Sequence, residues 1–415
     1  MGKRIIFHID VNSAYLSFTA IDMLKNGKIN RDITKIPSII GGDRDSRCGV
    51  VLAASIPAKE KGIKTGETIY SALKKCPDLE IYPPDFNVYV KCNKVLIELL
   101  YEYTPQIQVF SIDEAFIDVS HFKDEYMKKA IEIKERIKNE LGFNVNIGIS
   151  NNKLLAKQAG DFKPKNSIHT LFPDEIKHKL WKRPVNELFS VGKATGSKLN
   201  AMNIYTIEDL ANYDVTLLKK ELKSHGLKIY KYANGIDNSD IVDSSNVEVK
   251  GLGNSTTLKK DINDSNYLLK VLLALTEKVC MRLRENKTTC STVTVSLKTK
   301  HFIEYNHQKK LRNPTDSTNE IYKYIENTFY EMWSGEYIRQ VGIRLSKLSS
   351  NESYQISLFD ESNNEKNRKL DNAIDEIRKK YGKSVIMRST FLNGDIKYME
   401  GGTTEEYSPK ISSIL

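Results

Sequence analysis

Three carboxylates could do chemistry together. Asp10 ends an apolar run, and Asp113 and Glu114 sit in Ser111-Ile112-Asp113-Glu114-Ala115, between two strand-like runs. A single acid at a strand end is usually just solvated. Three on neighbouring strands of one sheet repel one another, and such a cluster is tolerated chiefly where cations bind. Mg²⁺ takes one or two carboxylates together with phosphate oxygens, the donor set of a two-metal phosphoryl-transfer site. Geometry sets a condition. Successive side chains of a regular strand point to opposite faces, so Asp113 and Glu114 share a site only if the hairpin departs from regular pleating. Other chemistries find less support. The five cysteines (Cys48, Cys76, Cys92, Cys280, Cys290) form no C-x-x-C and the seven histidines no H-E-x-x-H, so neither a disulfide framework nor a zinc site is indicated.

The elements that must position these acids are legible in outline. Residues 4–9 read as a buried strand of β-branched and aromatic residues that delivers Asp10, and a helix over 13–25 follows, stopped by Asn26-Gly27. Residues 28–85 read as a small mixed α/β insertion. Cys92, Leu96, Leu99, Leu100 and Tyr103 recur at helical spacing until Pro105. Strands over 108–110 and 116–119 make a hairpin carrying the two acids at or near its turn. An amphipathic helix spans 126–141 with Gly142 beyond its end, a strand spans 144–149, and Ser150 or Asn151 is placed to cap the next helix. Short helices joined by glycine turns fill 174–235, and 239–249 is a polar, acidic linker. Residues 250–348 return to mixed character, with helices near 265–286 and 317–334 and strands over 292–298 and 337–345. A last helix pattern covers 370–381.

Composition sets the class. With 415 residues, 40% hydrophobic and 28% charged, this is a multidomain globular chain. No run of 18 uncharged apolar residues exists, which excludes a spanning helix. The N-terminus shows no secretory signal, and Ile6 stands where a myristoylation motif needs Ser or Thr, so a cytoplasmic, nucleoid-associated protein is expected, with no membrane partner. Lys and Arg outnumber Asp and Glu 63 to 53, a net charge of +10, which points to a polyanion such as nucleic acid.

Five ordered segments then become specific. Asp10-Val11-Asn12-Ser13-Ala14-Tyr15, Gly49-Val50-Val51-Leu52-Ala53-Ala54-Ser55, Gly62-Ile63-Lys64-Thr65-Gly66, Ser111-Ile112-Asp113-Glu114-Ala115-Phe116 and Gly148-Ile149-Ser150-Asn151-Asn152-Lys153-Leu154-Leu155-Ala156-Lys157 resemble the motifs of Y-family (translesion) DNA polymerases. The resemblance runs from residue 4 to about 348. It implies an α+β multidomain right hand: palm 1–15 and 86–173, fingers 16–85, helix-hairpin-helix thumb 174–239, linker 240–249, little finger 250–348 and a C-terminal tail 349–415. It implies that Asp10, Asp113, Glu114 and the Val11 carbonyl hold two Mg²⁺ ions, one activating a primer 3′-hydroxyl and one holding the triphosphate of a dNTP. Tyr15 becomes a steric gate against the ribose 2′-hydroxyl.

Two departures qualify the likeness. The family commonly has Tyr and Arg where this chain has Ile56 and Lys59. Lys59 keeps the charge on triphosphate but loses the bidentate fork, and the UmuC-type branch also carries Lys there. In Asp161-Phe162-Lys163-Pro164-Lys165-Asn166 the register of a second triphosphate-binding lysine is shifted, and Lys163 is preferred over Lys165.

Val191-Gly192-Lys193-Ala194-Thr195-Gly196-Ser197-Lys198 resembles a helix-hairpin-helix, with Gly192, Gly196 and Lys198 at a DNA phosphate. In the little finger, Lys259, Arg282, Arg284, Lys298, Lys300 and Arg344 would face primer–template phosphates. Gln355-Ile356-Ser357-Leu358-Phe359, an apolar island in polar sequence, resembles the bacterial sliding-clamp motif, with Gln355, Leu358 and Phe359 as anchors. The length leaves no proofreading exonuclease. The expected activity is error-prone translesion synthesis in DNA repair and SOS-type damage tolerance by a monomer, with the need for an accessory subunit left open. The competing readings are a nucleotide cyclase, which should lack the hairpin and clamp motifs, and a clamp-tethered DNA-binding scaffold with little activity of its own.

Overall fold

The structure, a computed structural model, describes residues 4–42, 49–243, 249–350, 364–383 and 385–392. The described chain divides into two compact units, one within 4–243 and the other from 249 onward. In the first unit β1 (Ile6–Val11) leads into α1 (Ala14–Lys25). Then come β2 (Ser38–Gly41), β3 (Val51–Ala54), α2 (Ile56–Glu60), α3 (Ile69–Lys75), β4 (Glu80–Tyr82) and α4 (Phe86–Tyr101). β5 (Ile107–Val109), β6 (Glu114–Asp118), α5 (Tyr126–Arg136), β7 (Val145–Ser150), α6 (Lys153–Gly160) and β8 (Ile168–Thr170) follow. Four helices close the unit: α7 (Ile176–Lys179), α8 (Lys193–Ala201), α9 (Ile207–Ala211) and α10 (Val215–Ala233), the last kinked at Lys223.

The central sheet runs β5-β6-β1-β7-β8, antiparallel except for the β7–β8 pair. β1 lies in its middle and is apolar along most of its length because both faces are covered. Phe7, Ile9 and Val11 pack with Leu96, Leu99 and Leu100 of α4 and Ala130 and Ile133 of α5, while Ile6 meets Phe116 and Ala156 on the other face. α6 lies on that second face and also contributes Leu154, Leu155 and Ala159 to the core of the α7–α10 region. A three-stranded sheet, β3-β2-β4, has its own core with α2 and α3.

The second unit is a four-stranded antiparallel sheet, β11-β10-β12-β9, made of β9 (Gly251–Ile262), β10 (Thr288–Thr299), β11 (Glu304–Thr315) and β12 (Ile338–Ser350). α11 (Ser265–Glu285) and α12 (Thr318–Met332) bury Leu272, Val279, Ile321 and Ile325 against Val293, Val295, Val341 and Ile343. α13 (Asn364–Tyr381) docks on this unit through charges taken up below. No helix among the described residues is long and apolar enough to cross a membrane.

Several expectations shift. β6 begins at Glu114, so that acid lies in a strand. α4 begins at Phe86, earlier than the apolar spacing indicates, because Asp85 caps it by accepting from the Asn87 and Val88 amides. α6 is capped by Asn152, not Ser150 or Asn151. β11 escapes a sequence reading altogether. It is an edge strand, exposed along most of both faces, so it carries no alternating apolar signal. The start of the expected linker is pinned rather than loose: Ile241 packs on Phe116, and the Val242 amide donates to Gln108 Oε1 at 3.3 Å.

Candidate active site

The pairing of β1 with its neighbours sets the site. Asp10 lies directly opposite Glu114 on β6 and opposite Asn146 on β7, and His8 lies opposite Phe116 and Gly148. Alternation puts all of these on one face, the one α6 covers. α6 comes that close because Gly148 has no side chain: a methyl there would lie 1.9 Å from the Ala156 carbonyl oxygen. Gly160 does the same at the helix end, where a methyl would lie 2.8 Å from His8 Nδ1.

The pleating condition on Asp113 and Glu114 is met by a tight bend. The Phe110 and Ser111 amides both donate to the Glu114 carbonyl, at 3.0 and 3.2 Å. Asp113 therefore precedes the strand, and its own carbonyl accepts from the Val11 amide at 3.0 Å. Ser111 Oγ donates to Asp113 Oδ1. Asp10, Val11, Asp113 and Glu114 thus meet at one end of the β1–β6 pair.

The three acids are not equivalent. Burial, then the charges of Glu114 and Asp113, push Asp10 from the ordinary 3.8 up to about 7. Asp113 is also raised, by burial ahead of the Glu114 charge, with the Ser111 hydroxyl pulling the other way. Burial would raise Glu114 too, but hydrogen bonds and charge overcome it and hold the carboxyl down at about 2. Lys157 Nζ donates to Glu114 Oε2 at 2.7 Å, and His8 Nε2–H shares that oxygen at 3.3 Å. Burial and the neighbouring Lys157 charge lower the pKa of His8, while its hydrogen bond to Glu114 and the Glu114 charge work the other way.

Two further cations border the acids. Lys59 Nζ donates at 2.8 Å to the hydroxyl of Ser13, which in turn donates to the Ala54 carbonyl at 3.1 Å. Ser13 holds the left-handed conformation, φ 48°, to make this bridge. Burial and the charge of Lys165 lower the pKa of Lys59, while Asp10 works against both. Lys165, held by the Gly160 carbonyl at 3.2 Å, also pulls Asp10 down. Of the two lysines offered by this segment, Lys165 is the one whose charge acts on both Asp10 and Lys59. Tyr15 stacks on Tyr89, ring centroids 4.7 Å apart, with the edge of Phe86 at 5.9 Å. Burial and then the Asp113 charge raise its hydroxyl pKa, which places the ring beside the acids.

Other site expectations fare unevenly. Gly192 caps α8 from an exposed position, and Lys198 is exposed on that helix, whereas Gly196 is buried inside α8 against Asn186. In the second unit Lys259 and Arg344 are exposed, Lys298 pairs with Glu304 at 3.0 Å, and Lys300 lies over the Tyr337 ring. Arg282 reaches the Gly253 carbonyl at 3.4 Å. Arg284 must be withdrawn as a phosphate contact. Its side chain is 7% exposed and pairs with Asp375 at 2.6 Å and Asp371 at 3.5 Å. Gln355, Leu358 and Phe359 lie outside the described residues.

Lys157 and His8 are missing from the sequence-based site. The signal for Lys157 was partial: it shares a short helix with Leu154, Leu155, Ala156 and Ala159, and a lysine in such company is buried only with a partner for its charge.

Comparisons with known proteins fit this geometry. The family model described as impB/mucB/samB family matches residues 9–161, and its C-terminal domain matches 249–358. A model described as the thumb domain of DNA polymerase-iota matches 186–237. The chain is 50% identical to a DNA polymerase IV of Clostridium acetobutylicum, over 95% of this chain and 100% of that one. It is 35% identical to DNA polymerase IV 2 of Bacillus subtilis, over 94% of this chain and 95% of that one. Among solved structures, a Y-family polymerase chimera of Dbh and Dpo4 superposes with a TM-score of 0.72 at 21% identity, covering 84% of this chain and 100% of that chain.

Proposed function

Because this chain belongs to the Y-family (impB/mucB/samB) DNA polymerases and is a DNA-directed DNA polymerase, we propose that it performs error-prone translesion synthesis with Asp10, Asp113 and Glu114 as its catalytic carboxylates. The carrying observation is their convergence at the β1–β6 end, with Asp10 raised to about 7 by burial and like charge. The donor set is all oxygen and its charge is under-compensated, which fits hard divalent ions such as Mg²⁺. Asp10, Asp113, Glu114 and the Val11 carbonyl would hold them. Once bound, such ions supply Lewis acidity at the primer 3′-oxygen and charge neutralisation on the triphosphate.

The remaining roles belong to the chain itself. Lys59 and Lys165 put two ammonium groups beside the acids, where they would bind dNTP phosphates. The Tyr15 ring packs on Tyr89 and Phe86, which would hold it against a ribose 2′-hydroxyl. The bend at 111–113 keeps Asp113 from following the pleat of β6. Residues 1–15 and 86–173 act as palm, 16–85 as fingers, 174–239 as thumb and 250–348 as little finger. The exposed Lys198, Lys259 and Arg344 are assigned to duplex phosphates, and Gln355, Leu358 and Phe359 to a sliding clamp. The chain is assigned to the cytoplasm, with no membrane role.

The test is primer extension with Mg²⁺ and dNTPs on undamaged and abasic templates, comparing wild type with Asp113→Ala. Wild type should extend past the abasic site. Asp113→Ala should lose at least about a thousandfold in rate with primer–template affinity kept. Extension by Asp113→Ala would refute the assignment. Failure of the wild type to extend any template while still binding DNA would favour the scaffold reading.

A further inference from the structure

Among the described residues, Glu114 is the one carboxylate of the three that touches a cation. Both of its hydrogen bonds, from Lys157 and His8, fall on Oε2, and Oε1 accepts none from any described residue. Lys157 is not a casual surface partner. It is 7% exposed, and its ammonium lies 5.2 Å from the centre of the Phe110 ring and 5.5 Å from that of Phe189. It projects from α6 between the buried residues Ala156 and Gln158, and α6 reaches the sheet only because of the glycines at 148 and 160. The fold therefore spends close packing, two glycines and a buried lysine on gripping one oxygen of one acid.

We propose that Lys157 is the positioning residue of Glu114: it clamps Oε2 so that Oε1 faces the Asp10–Asp113 cluster, and its positive charge weakens divalent-ion affinity there while improving the geometry of turnover. This rests on the assignment of the three acids made above. Two consequences oppose each other. A fixed ammonium beside the cluster repels an incoming cation, so removing it strengthens cation binding. The same removal leaves Glu114 Oε2 with only the longer contact to His8, and a carboxylate less firmly placed slows the chemistry.

The experiment compares wild type, Lys157→Met and Lys157→Arg. Mn²⁺ affinity is read on the protein alone by electron paramagnetic resonance, and the rate of single-turnover insertion is read at saturating dNTP and Mg²⁺. Lys157→Met should bind Mn²⁺ about tenfold more tightly and insert at least about tenfold more slowly, with dNTP affinity unchanged. Lys157→Arg should restore most of both. General damage would weaken binding and rate together, so anything other than opposite shifts overturns the inference. If thermal unfolding shows that Lys157→Met has not folded, Lys157→Gln carries the same comparison. Asp113→Ala, run in parallel, separates the two layers. If it keeps Mn²⁺ affinity and insertion, the site assignment has failed. If it loses both while Lys157→Met behaves as wild type, only the role of Lys157 has failed.

Discussion

Two clusters of opposite charges lie buried among the described residues, and they are paired differently. In the second unit Glu277, 4% exposed at its side chain, takes Arg378 at 2.8 Å and also Arg388. Arg284 takes Asp375 and Asp371, and Asp371 caps α12 by accepting from the Thr318 amide at 2.8 Å. Burial raises the Asp371 carboxyl, but Arg284 beside it pulls it back. Acids and bases there face one another across α13 and its neighbours, so the cluster holds a helix in place. In the first unit Asp10 and Asp113 are raised by burial and again by other acids, and of the three only Glu114 has a cation in contact. The same ingredients make a fastener in one place and, in the other, the site proposed to take up divalent ions. What separates them is whether each acid has a cation in contact, since both are buried.

The largest effect that sharpens this contrast is expected in the fastener. Arg284→Met strands two buried acids and should cost about 3–5 kcal/mol, seen in the unfolding transition of the second unit, with insertion kinetics on short primers changed far less. A cost under about 1 kcal/mol would put this cluster with ordinary surface pairs. In the first unit, Tyr15→Ala should raise ribonucleotide use on the order of ten- to a hundredfold by removing a ring held on Tyr89. Unchanged sugar selectivity would remove the gate. Lys165→Ala should raise the dNTP KM by roughly fivefold, the loss of one partly solvated charge contact, and Lys163→Ala should do less. The reverse order would restore the preference drawn from sequence.

A further effect is a pH slope. The folded pKa of Asp10 lies above its unfolded value, so the native state holds the extra proton between about 4 and about 7. Metal-free stability from this residue is therefore full below that window and falls as pH rises through it. Glu114, held low, contributes the opposite slope below its unfolded pKa. Asp10→Asn should remove the first slope in metal-free thermal scans.

Much of the site was legible because it is written locally. Asp10 follows a β-branched run, and the two acids of the hairpin fall between strand patterns. What was hidden depends on the third dimension. Nothing in the spelling of 163–165 says which lysine's charge acts on Asp10. Arg284 looks like any basic helix residue until Asp371 and Asp375, far along the chain, are brought to it. Lys157 sits in the open within a quoted motif, yet its partner is 43 residues earlier in the sequence. β11 was invisible because an exposed edge strand has no apolar face to alternate.

One pair of substitutions tests the central contrast most directly. Asp10→Asn and Glu277→Gln are the same chemical change in the two clusters, and each is unfolded thermally at pH 8 without divalent ions. Asp10→Asn should stabilise the first unit by about 1–3 kcal/mol, because it relieves an uncompensated charge. Glu277→Gln should destabilise the second unit by about 3 kcal/mol, because it removes the negative charge that two guanidinium groups share. Opposite signs are the expected result. Destabilisation by both would mean that the acids at the β1–β6 end are already satisfied by the protein and do not wait for a cation.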